Sequence, residues 1–487
     1  MAYRHGVHAS EVPTSILPPV TAAAGLPVVF GTAPVNLTAD PAAAVNRPML
    51  AYNYAEAVQA VGFQPANAQG LFEFTLSEFI KSHFALFAVA PVVLVNVLDP
   101  AVHRKAVTGQ EIKLVGDAAP LPEAGVLKAT VVVKSSDGAT THVAGTDYEV
   151  TYNTAGLAII NRLEDGAIAA DAELKVDYAH LDPSMVTESD IIGGIDSGTG
   201  KATGLELLNE VFPRFRQVPG QVLAPKFSGS SAVAAVMKAK ASNINSHFRA
   251  ISLADIPTDE VEKYSDAPAW KNSNNITDPQ QAICWPMLSL GGEKYHLSTQ
   301  LAGLICKTDG ANDDVPYVSP SNKSLQADST VLADGSEVFL GPDQAAFLNG
   351  EGIITALNFI GGWKAWGNRT AAYPAISDPK DAFLAIRRMF NWIGNSLILT
   401  FWQKVDDPLN RRQIDTVIDS ANIWLNGLAA RQFILGGRVE FLESENPITD
   451  LMDGIARFHV YITPPSPNRE IDFILEYDPA YLEGLFG

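Results

Sequence analysis

The first hundred residues alternate apolar runs with one amphipathic segment. Residues 28–34 (VVFGTAP) and 92–100 (VVLVNVLDP) are apolar runs bounded by glycine or proline, a pattern that predicts buried strands. Between them, residues 74–84 (FTLSEFIKSHF) carry apolar side chains at helical spacing, namely Leu76, Phe79, Ile80 and Phe84. The pattern predicts a strand, a helix and a second strand that share one core. About twenty residues before them are extended and interrupted by prolines.

The pattern changes between about residues 104 and 182. The stretch VLKATVVVKSSDGATTHV places an Asp137-Gly138 turn between two strand-like arms, which predicts a hairpin. The short runs DYEVTY, LAII and ELKVDY follow, separated by glycine or aspartate turns. These residues predict a small all-β domain inserted into an otherwise mixed chain.

Strands and helices alternate after residue 204. VLAPKF, SSAVAAVMKAKASNI and FRAISLADIP predict a strand, a helix and a strand, and this order implies parallel pairing. AICWPML and the helix-like STQLAGLIC extend the series, and residues 308–336 form a polar linker. The overall fold class predicted is α+β, with an α/β core.

The C-terminal part predicts two helices and three strands. Asp378-Pro379 resembles a helix start, and the apolar positions that follow at steps of three and four are Phe383, Ile386, Phe390, Ile393, Leu397 and Phe401. Asp407-Pro408 predicts a second helix in the same way, with an inward face of Ile414, Val417, Ala421, Leu425 and Leu428. Gly436-Gly437 would end that element. The predicted strands are RVEFLE, IARFHVYIT and EIDFILEY.

Both ends of the chain have strand-like patterns without an evident local partner. The last strand follows the proline-rich residues 464–468 (PPSPN), and the first twenty residues are extended. One interpretation is that both ends pair within their own core. The alternative is that they pair with a neighbouring chain, because an unpaired strand leaves backbone groups unsatisfied. The arm positions this alternative singles out are Val7, Ala9, Val12, Ile471, Phe473, Leu475 and Tyr477.

Composition and charge exclude several classes of protein. The 487 residues carry 34 Lys and Arg against 54 Asp and Glu, a net charge of −20, so we expect no nucleic acid partner. The sequence has two cysteines and no CxxC motif, and the nine histidines form no metal-binding spacing. The N-terminus has no apolar signal segment, and the longest apolar run (residues 84–95) contains Pro91 and is too short to cross a bilayer. We therefore expect no membrane insertion.

The glycine-rich stretch IIGGIDSGTGKATG (residues 191–204) is the one candidate nucleotide site. A phosphate loop requires Gly, four residues, and then Gly-Lys-Ser/Thr. Here Ile195 occupies the first glycine position and Ala202 replaces the hydroxyl residue, while Thr203 breaks the dinucleotide pattern. Asp196 would repel a phosphate. The sequence therefore indicates a turn-rich connector, no catalytic or metal-binding residue and no cofactor, so we do not expect an enzyme.

Residues 361–440 are basic within this acidic chain. They contain ten Lys and Arg and seven Asp and Glu, a local net charge of +3. One interpretation is a solvated helix face, and the other is a surface that complements an acidic partner. The candidates for the second interpretation are Lys404, Arg411, Arg412, Arg431 and Arg438.

Segments spread over most of the chain resemble the tail sheath proteins of contractile bacteriophages. The opening residues 5–34 resemble the family's N-terminal arm and first core strand, and residues 189–228 resemble its middle segment. Residues 348–370 are similar to its N-x-x-G-I-N-T and W-G-x-R-T signatures, carried here by Asn349, Gly352, Ile353, Trp366, Gly367, Arg369 and Thr370. Ile354 stands where the family has asparagine.

The resemblance implies a structural protein of the virion tail, assembled in the host cytoplasm. Subunits of this family stack as hexameric rings around a tail tube, exchange their terminal arms as strands, and contract to drive the tube through the host envelope. The implied partners are other copies of the chain, the tail tube protein, and the baseplate and tail terminator proteins. Two alternatives stay open: the sheath of a tailocin or phage-derived injection device, and a cytoplasmic nucleotide-binding enzyme that uses the loop at residues 194–204.

The pattern and the resemblance together predict six segments. An N-terminal arm (1–20) precedes the first part of the core (21–103), the inserted β domain (104–182) and the second part of the core (183–342). A C-terminal α/β domain (343–463), which faces the tube in this family, and a C-terminal arm (464–487) follow. The predicted fold is therefore an α/β sheath core with an inserted all-β domain and extended arms at both ends.

Overall fold

Mixed helices and strands make up the part of the chain that a computed structural model describes, residues 17–485. The predicted arm positions Val7, Ala9 and Val12 lie outside these residues. The strands are β1 (Pro27–Gly31), β2 (Pro48–Ala51), β3 (Val92–Asn96), β4 (Arg104–Lys113), β5 (Ala118–Ala124), β6 (Val132–Ser135), β7 (Tyr148–Tyr152), β8 (Leu157–Arg162), β9 (Glu173–Leu181), β10 (Gly194–Ile195), β11 (Ala202–Thr203), β12 (Gln221–Leu223), β13 (Ile251–Asp255), β14 (Gln281–Cys284), β15 (Met287–Leu290), β16 (Glu293–Tyr295), β17 (Ser329–Val331), β18 (Ile353–Asn358), β19 (Trp363–Trp366), β20 (Gly436–Glu440) and β21 (His459–Thr463).

Twelve α-helices are found among the same residues. They are α1 (Tyr54–Val61), α2 (Thr75–Ile80), α3 (Glu188–Ile192), α4 (Leu208–Phe215), α5 (Ser231–Ser242), α6 (Ala267–Ser273), α7 (Leu297–Gly310), α8 (Pro342–Gly350), α9 (Pro379–Ala382), α10 (Leu384–Phe401), α11 (Arg411–Ala430) and α12 (Ile448–Met452).

An eight-stranded sheet forms the centre of the fold, in the order β19-β18-β14-β13-β12-β1-β3-β2. The six inner strands are parallel, and the two edge strands β2 and β19 are antiparallel to their neighbours. Strands covered on both faces are rich in apolar residues, and β1, β3 and β13 are fully buried. The predicted strand-helix-strand unit is confirmed, because β12 and β13 pair in parallel on either side of α5.

A second core lies in the strands from Arg104 to Leu181. Two three-stranded sheets, β4-β9-β6 and β5-β8-β7, enclose Leu114, Val133, Tyr148, Ile160 and Val176. The predicted hairpin at Asp137-Gly138 is only half formed. Its first arm is β6, which pairs with β9, and its second arm is reduced to a single bridge between Lys134 and Thr141.

The C-terminal helices begin and end at other residues than the sequence predicts. Asp378 caps only the four-residue α9, and the long helix starts again at Leu384. The second helix starts at Asn410, whose side chain accepts the N–H of Gln413, rather than at Asp407-Pro408. Gly436 and Gly437 do not end a helix, because they are the first residues of β20.

The last predicted strand is not a strand in the single chain. Among the described residues β20 and β21 pair only with each other, and residues 464–478 join no sheet. The mixed fold class is confirmed. The six-segment division of the chain stays a prediction.

Removal of the β domain tests that division. The backbone N–H of Asp182 donates to the carbonyl of His103 at 3.0 Å, so the two ends of the domain are adjacent and a short linker can join them. We expect a chain with a glycine-serine linker in place of residues 104–181 to unfold cooperatively, as followed by circular dichroism. Loss of a cooperative transition would show that the core needs the domain, because Leu127 and Leu181 also pack in the main core.

Candidate functional site

Residues 17–25, here called the N-terminal segment, run along the C-terminal helices of the same chain. Their backbone groups bond to side chains of α10 and α11 rather than to a strand. The N–H of Leu17 donates to Ser420 Oγ at 3.1 Å, and the N–H of Val20 donates to Thr400 Oγ1 at 3.0 Å. The expectation that these residues lack a local partner is therefore wrong from Leu17 onward. An arm that reaches another subunit would begin before Leu17.

Four side chains spaced four residues apart on α10 make most of these contacts. We call Arg388, Trp392, Ser396 and Thr400 the polar row. Ser396 Oγ accepts the N–H of Ala22 at 3.0 Å, and Trp392 Nε1 donates to the carbonyl of Ala22 at 2.9 Å. Arg388 donates to the carbonyl of Ala24 at 3.3 Å. All four side chains are buried, although the sequence pattern placed the inward face of this helix elsewhere.

The N-terminal segment is also fixed from the side of α7. Arg388 forms a buried bidentate ion pair with Asp309 of α7. Burial raises the pKa of the Asp309 carboxyl group. The carbonyl of Gly25 accepts from Gln221 Nε2 at 2.7 Å and from the Cys306 thiol at 3.1 Å. A Cβ atom at Gly25 would lie 3.1 Å from Asp309 Oδ2, so glycine allows this close approach. Side chains of four elements, α7, α10, α11 and β12, therefore hold the segment.

The C-terminal residues 464–478 have two parts, a first part that contacts the fold and a second part that is exposed to solvent. Residues 465–470 line a cavity of about 700 Å³ together with Asn349, Trp366, Arg369 and Tyr373. Beyond it the apolar side chains face solvent, and the exposed fractions are 67% for Ile471, 82% for Phe473, 93% for Leu475 and 76% for Tyr477. These residues alternate like a strand but have no partner strand within residues 17–485.

The β20–β21 pair has one occupied edge and one open edge. Val439 of β20 donates its N–H to Asn422 Oδ1 at 2.8 Å and accepts from Asn422 Nδ2 at 3.2 Å. Opposite residues of an antiparallel pair turn their backbone groups either both inward or both outward. Val460, which lies opposite Val439, therefore turns its N–H and carbonyl away from β20. In the described chain no strand pairs with that side of β21.

Exposed apolar side chains also occur in the connection between β20 and β21. Ile448 and Met452 of α12 are 77% and 83% exposed. Two ion pairs hold this connection against the start of β21, Arg457 with Asp450 at 2.5 Å and His459 with Glu445 at 2.6 Å.

The signature residues at 349–370 join the central sheet to the C-terminal helices. Asn349 Nδ2 donates to the carbonyls of Ile353 and Trp366, which closes the β18–β19 hairpin. Thr370 Oγ1 donates to the carbonyl of Asp381 at 2.6 Å, just before α10. The Arg369 guanidinium lies 4.3 Å from the Tyr373 ring centroid and 3.9 Å from that of Phe383. These residues act as structural connectors.

A buried lysine supports the same connection. Lys271 of α6 donates to the carbonyls of Glu351 and Tyr373 at 2.6 and 2.8 Å. Burial lowers the pKa of Lys271 to about 8. Gly352, between these carbonyls, has a φ of +71°, and a Cβ there would lie 2.5 Å from the Tyr373 carbonyl oxygen. Only glycine fits this position without strain.

The candidate basic residues are mostly paired with carboxylates of the same chain. Lys404 pairs with Asp407, Arg411 with Asp415, Arg431 with Asp313 and Arg438 with Glu440, at 2.7 to 3.9 Å. Arg412 is exposed and has no ion pair with any residue in the described range. The net positive field of this surface is therefore smaller than the residue count indicates.

The glycine-rich stretch folds into a hairpin that bonds to itself. Asp196 Oδ1 accepts from the N–H groups of Gly198 and Thr199 and from the Thr199 hydroxyl, at 3.1, 2.6 and 2.7 Å. The hydrogen bonds from Thr199 lower the pKa of Asp196. The N–H groups of Gly198 and Thr199 are therefore bonded to a carboxylate of the same hairpin. No three His, Cys, Asp or Glu side chains in residues 17–485 are arranged to hold a metal ion, and no helix there is both long and apolar enough to span a bilayer.

Comparisons with known proteins cover the whole chain. It is 27% identical over 497 aligned residues to a tail sheath protein of Burkholderia phage BcepMu, covering 100% of this chain and 99% of that protein. A putative prophage major tail sheath protein of Pseudomonas aeruginosa (strain UCBPP-PA14) is 25% identical, covering 67% of this chain and 80% of its own length. A family model described as "Protein of unknown function UCP028589" matches residues 67–188.

The fold agrees with these relatives. The chain superposes on the sheath complex of an extracellular contractile injection system, PVC, in its contracted state, with a TM-score of 0.58 and 13% identity. The superposition covers 99% of both chains. The resemblance predicted from the sequence and the mixed α+β fold are therefore confirmed.

A glycine pair tests the connector at residues 349–370. We expect Gly352→Ala to lower the free energy of unfolding by about 2 kcal/mol or more, because the added Cβ meets two carbonyl oxygens at a positive φ. Gly350→Ala is the matched control, since a Cβ there meets nothing within 4 Å. Urea denaturation measures both variants. Equal stability of the two would contradict the close packing at Gly352.

Proposed function

We propose that this chain, which is related to tail sheath proteins along its whole length, is a structural subunit of a contractile sheath. Copies stack as rings around a tail tube, and shortening of the cylinder drives the tube through the host envelope for genome delivery. The observation that carries the proposal is the C-terminal segment, whose alternating apolar side chains are exposed and unpaired in the single chain. A strand of this kind needs a host outside its own subunit.

Burial of this segment supplies a driving force for assembly. Ile471, Phe473, Leu475 and Tyr477 are each at least two-thirds exposed. Each large apolar side chain gains about 1.5–3 kcal/mol on full burial. Backbone pairing adds directional hydrogen bonds, which fix the register while side-chain contacts between subunits change.

The open edge of β21 is the host that the geometry favours for a donated strand. Asn422 occupies the backbone groups of Val439 on the other edge of the pair. On β21, Val460 directs its N–H and carbonyl outward. A two-stranded pair is marginal alone, so a third strand from a second copy stabilises it.

A virion tail and a tailocin-like injection device need the same subunit. Strand exchange and ring stacking are identical in physical terms, so the subunit serves either device. The enzyme alternative has no comparable support, because the glycine-rich hairpin bonds its own amides to Asp196. We propose a role without catalysis, cofactor or nucleotide.

The remaining partners follow from the same proposal. The baseplate would receive the first ring and a tail terminator protein the last, and assembly would take place in the host cytoplasm before the virion tail is complete. The region 343–463 would face the tube. Arg412 is the basic candidate there that supports this orientation best, because it is exposed and has no ion pair within residues 17–485.

Phe473→Pro tests strand donation. Phe473 is 82% exposed and outside any strand, so we expect a folded subunit with an unchanged melting temperature. In the assembly, proline removes a ladder N–H, and we expect no tubes by negative-stain microscopy. Asn468→Pro is the control. Asn468 lies in the proline-rich residues 464–468, before the proposed strand, so we expect this variant to assemble. Normal tubes from Phe473→Pro would refute strand donation.

Arg412→Glu tests the tube-facing orientation. We expect sheath tubes to form normally, while co-assembly with purified tail tube protein weakens by about tenfold at low salt, since one attraction becomes a repulsion. Lys128→Glu, an equally exposed charge reversal on the β domain, should leave co-assembly unchanged. Equal effects of the two variants, or no effect of Arg412→Glu, would count against the orientation. Co-sedimentation provides the measurement.

A further inference from the structure

The polar row and the N-terminal segment run in opposite directions and nearly match in spacing. Four residues of an α-helix rise about 6 Å, and two residues of an extended chain rise about 6.6 Å. Thr400 contacts Val20, Ser396 and Trp392 contact Ala22, and Arg388 contacts Ala24. Two of the three steps of four along α10 therefore meet a step of two along the segment, and at the remaining step Ser396 and Trp392 share the N–H and the carbonyl of Ala22.

The composition of the segment fits this arrangement. Ala22 and Ala24 are buried and small, so the backbone can approach the helix closely, while Val20 is 51% exposed. Pro18 and Pro19 have no N–H, so Leu17 and Val20 carry the donors that need partners at this end. Ser420 of α11 and Thr400 of α10 accept them.

Every hydrogen bond between the row and the N-terminal segment involves a main-chain group of the segment, so the row holds the direction and the register of that segment. Together with Ser420 on α11, which accepts the N–H of Leu17, the row fixes the position of Leu17 on the subunit. The same helix carries Asn422, which closes the β20 edge. The root of the N-terminal arm and the β20–β21 pair are therefore attached to one rigid element, α11, and through Trp392 and Trp424 (ring centroids 5.6 Å apart) to α10.

We propose that Ser396 and Thr400, with Trp392, Arg388 and Ser420, are positioning residues that fix where the N-terminal arm leaves the subunit for exchange with a neighbour. This inference rests on the proposed sheath function. Holding the root reduces the conformational freedom that the arm loses on reaching its host, so the row lowers the concentration at which subunits assemble.

The test uses the full chain with two hydroxyl groups removed, Ser396→Ala with Thr400→Val. We expect two changes: faster amide hydrogen exchange at Val20 and Ala22, and a critical concentration for tube formation raised roughly tenfold, which corresponds to the loss of two such hydrogen bonds. Exchange is read by NMR or mass spectrometry, and the critical concentration by sedimentation.

Two matched variants separate positioning from general stability. Ser242→Ala with Thr416→Val removes two helix hydroxyls that donate only to carbonyls of their own helices, at 2.8 Å each, and should change neither readout. Ser396→Thr with Thr400→Ser keeps both hydroxyls and should restore both readouts.

The outcomes are distinct. Unchanged exchange at Val20 and Ala22, or faster exchange with an unchanged critical concentration, would overturn the positioning role. A raised critical concentration in the Ser242 and Thr416 control as large as in the row variant would overturn it as well. Failure of the unaltered chain to form tubes at any concentration would instead refute the proposed sheath function, while the exchange rates would still report whether the row holds the segment.

Discussion

The hydrogen bonding of an extended segment along one helix is the constraint on which the C-terminal half of this structure depends. An extended segment placed on a helix normally leaves its backbone polar groups without partners. Here hydroxyl, indole and guanidinium groups at four-residue intervals supply them. The arrangement joins residues separated by more than 360 positions in the chain, so the first and last parts of the fold form one unit.

The consequence for an assembly is mechanical. In the proposed sheath, force applied at Leu17 would reach α10 and α11 through the hydrogen bonds to Ser420 and Thr400, without passing through the central eight-stranded sheet. The C-terminal segment starts from β21, which pairs with β20, and Asn422 joins β20 to α11. Both ends of the chain are therefore attached to the same helices. The β domain between Arg104 and Leu181, with a core of its own, lies outside this path.

The sequence predicted the central strands, the β domain and the two long helices, because each follows from local apolar periodicity. It failed where a feature depends on contacts across the fold. Phe390 and Leu397 match an inward helical face and are only half-buried, whereas Ser396 and Thr400 resemble solvent positions and are buried. The hydrogen-bond partners of Ser396 and Thr400 are backbone groups that are distant in sequence, so a local pattern cannot predict that these side chains are buried. A four-residue spacing of polar side chains, together with a short alanine run elsewhere, was the available signal. Counting charges likewise does not identify ion-pair partners, and four of the five basic candidates have a carboxylate partner in the same chain.

The C-terminal segment shows the opposite relation between pattern and structure. Its alternation of apolar and acidic residues predicts a strand, yet the single chain has no place for that strand. Apolar side chains that alternate along an exposed strand promote unspecific association unless they are buried against a host strand. The two edges of the β20–β21 pair differ. Asn422 bonds the backbone of Val439 and closes the edge of β20, so only the edge of β21 is open to an incoming strand. In the proposed assembly pattern and structure agree, because the strand that hosts the C-terminal segment would belong to a neighbouring subunit.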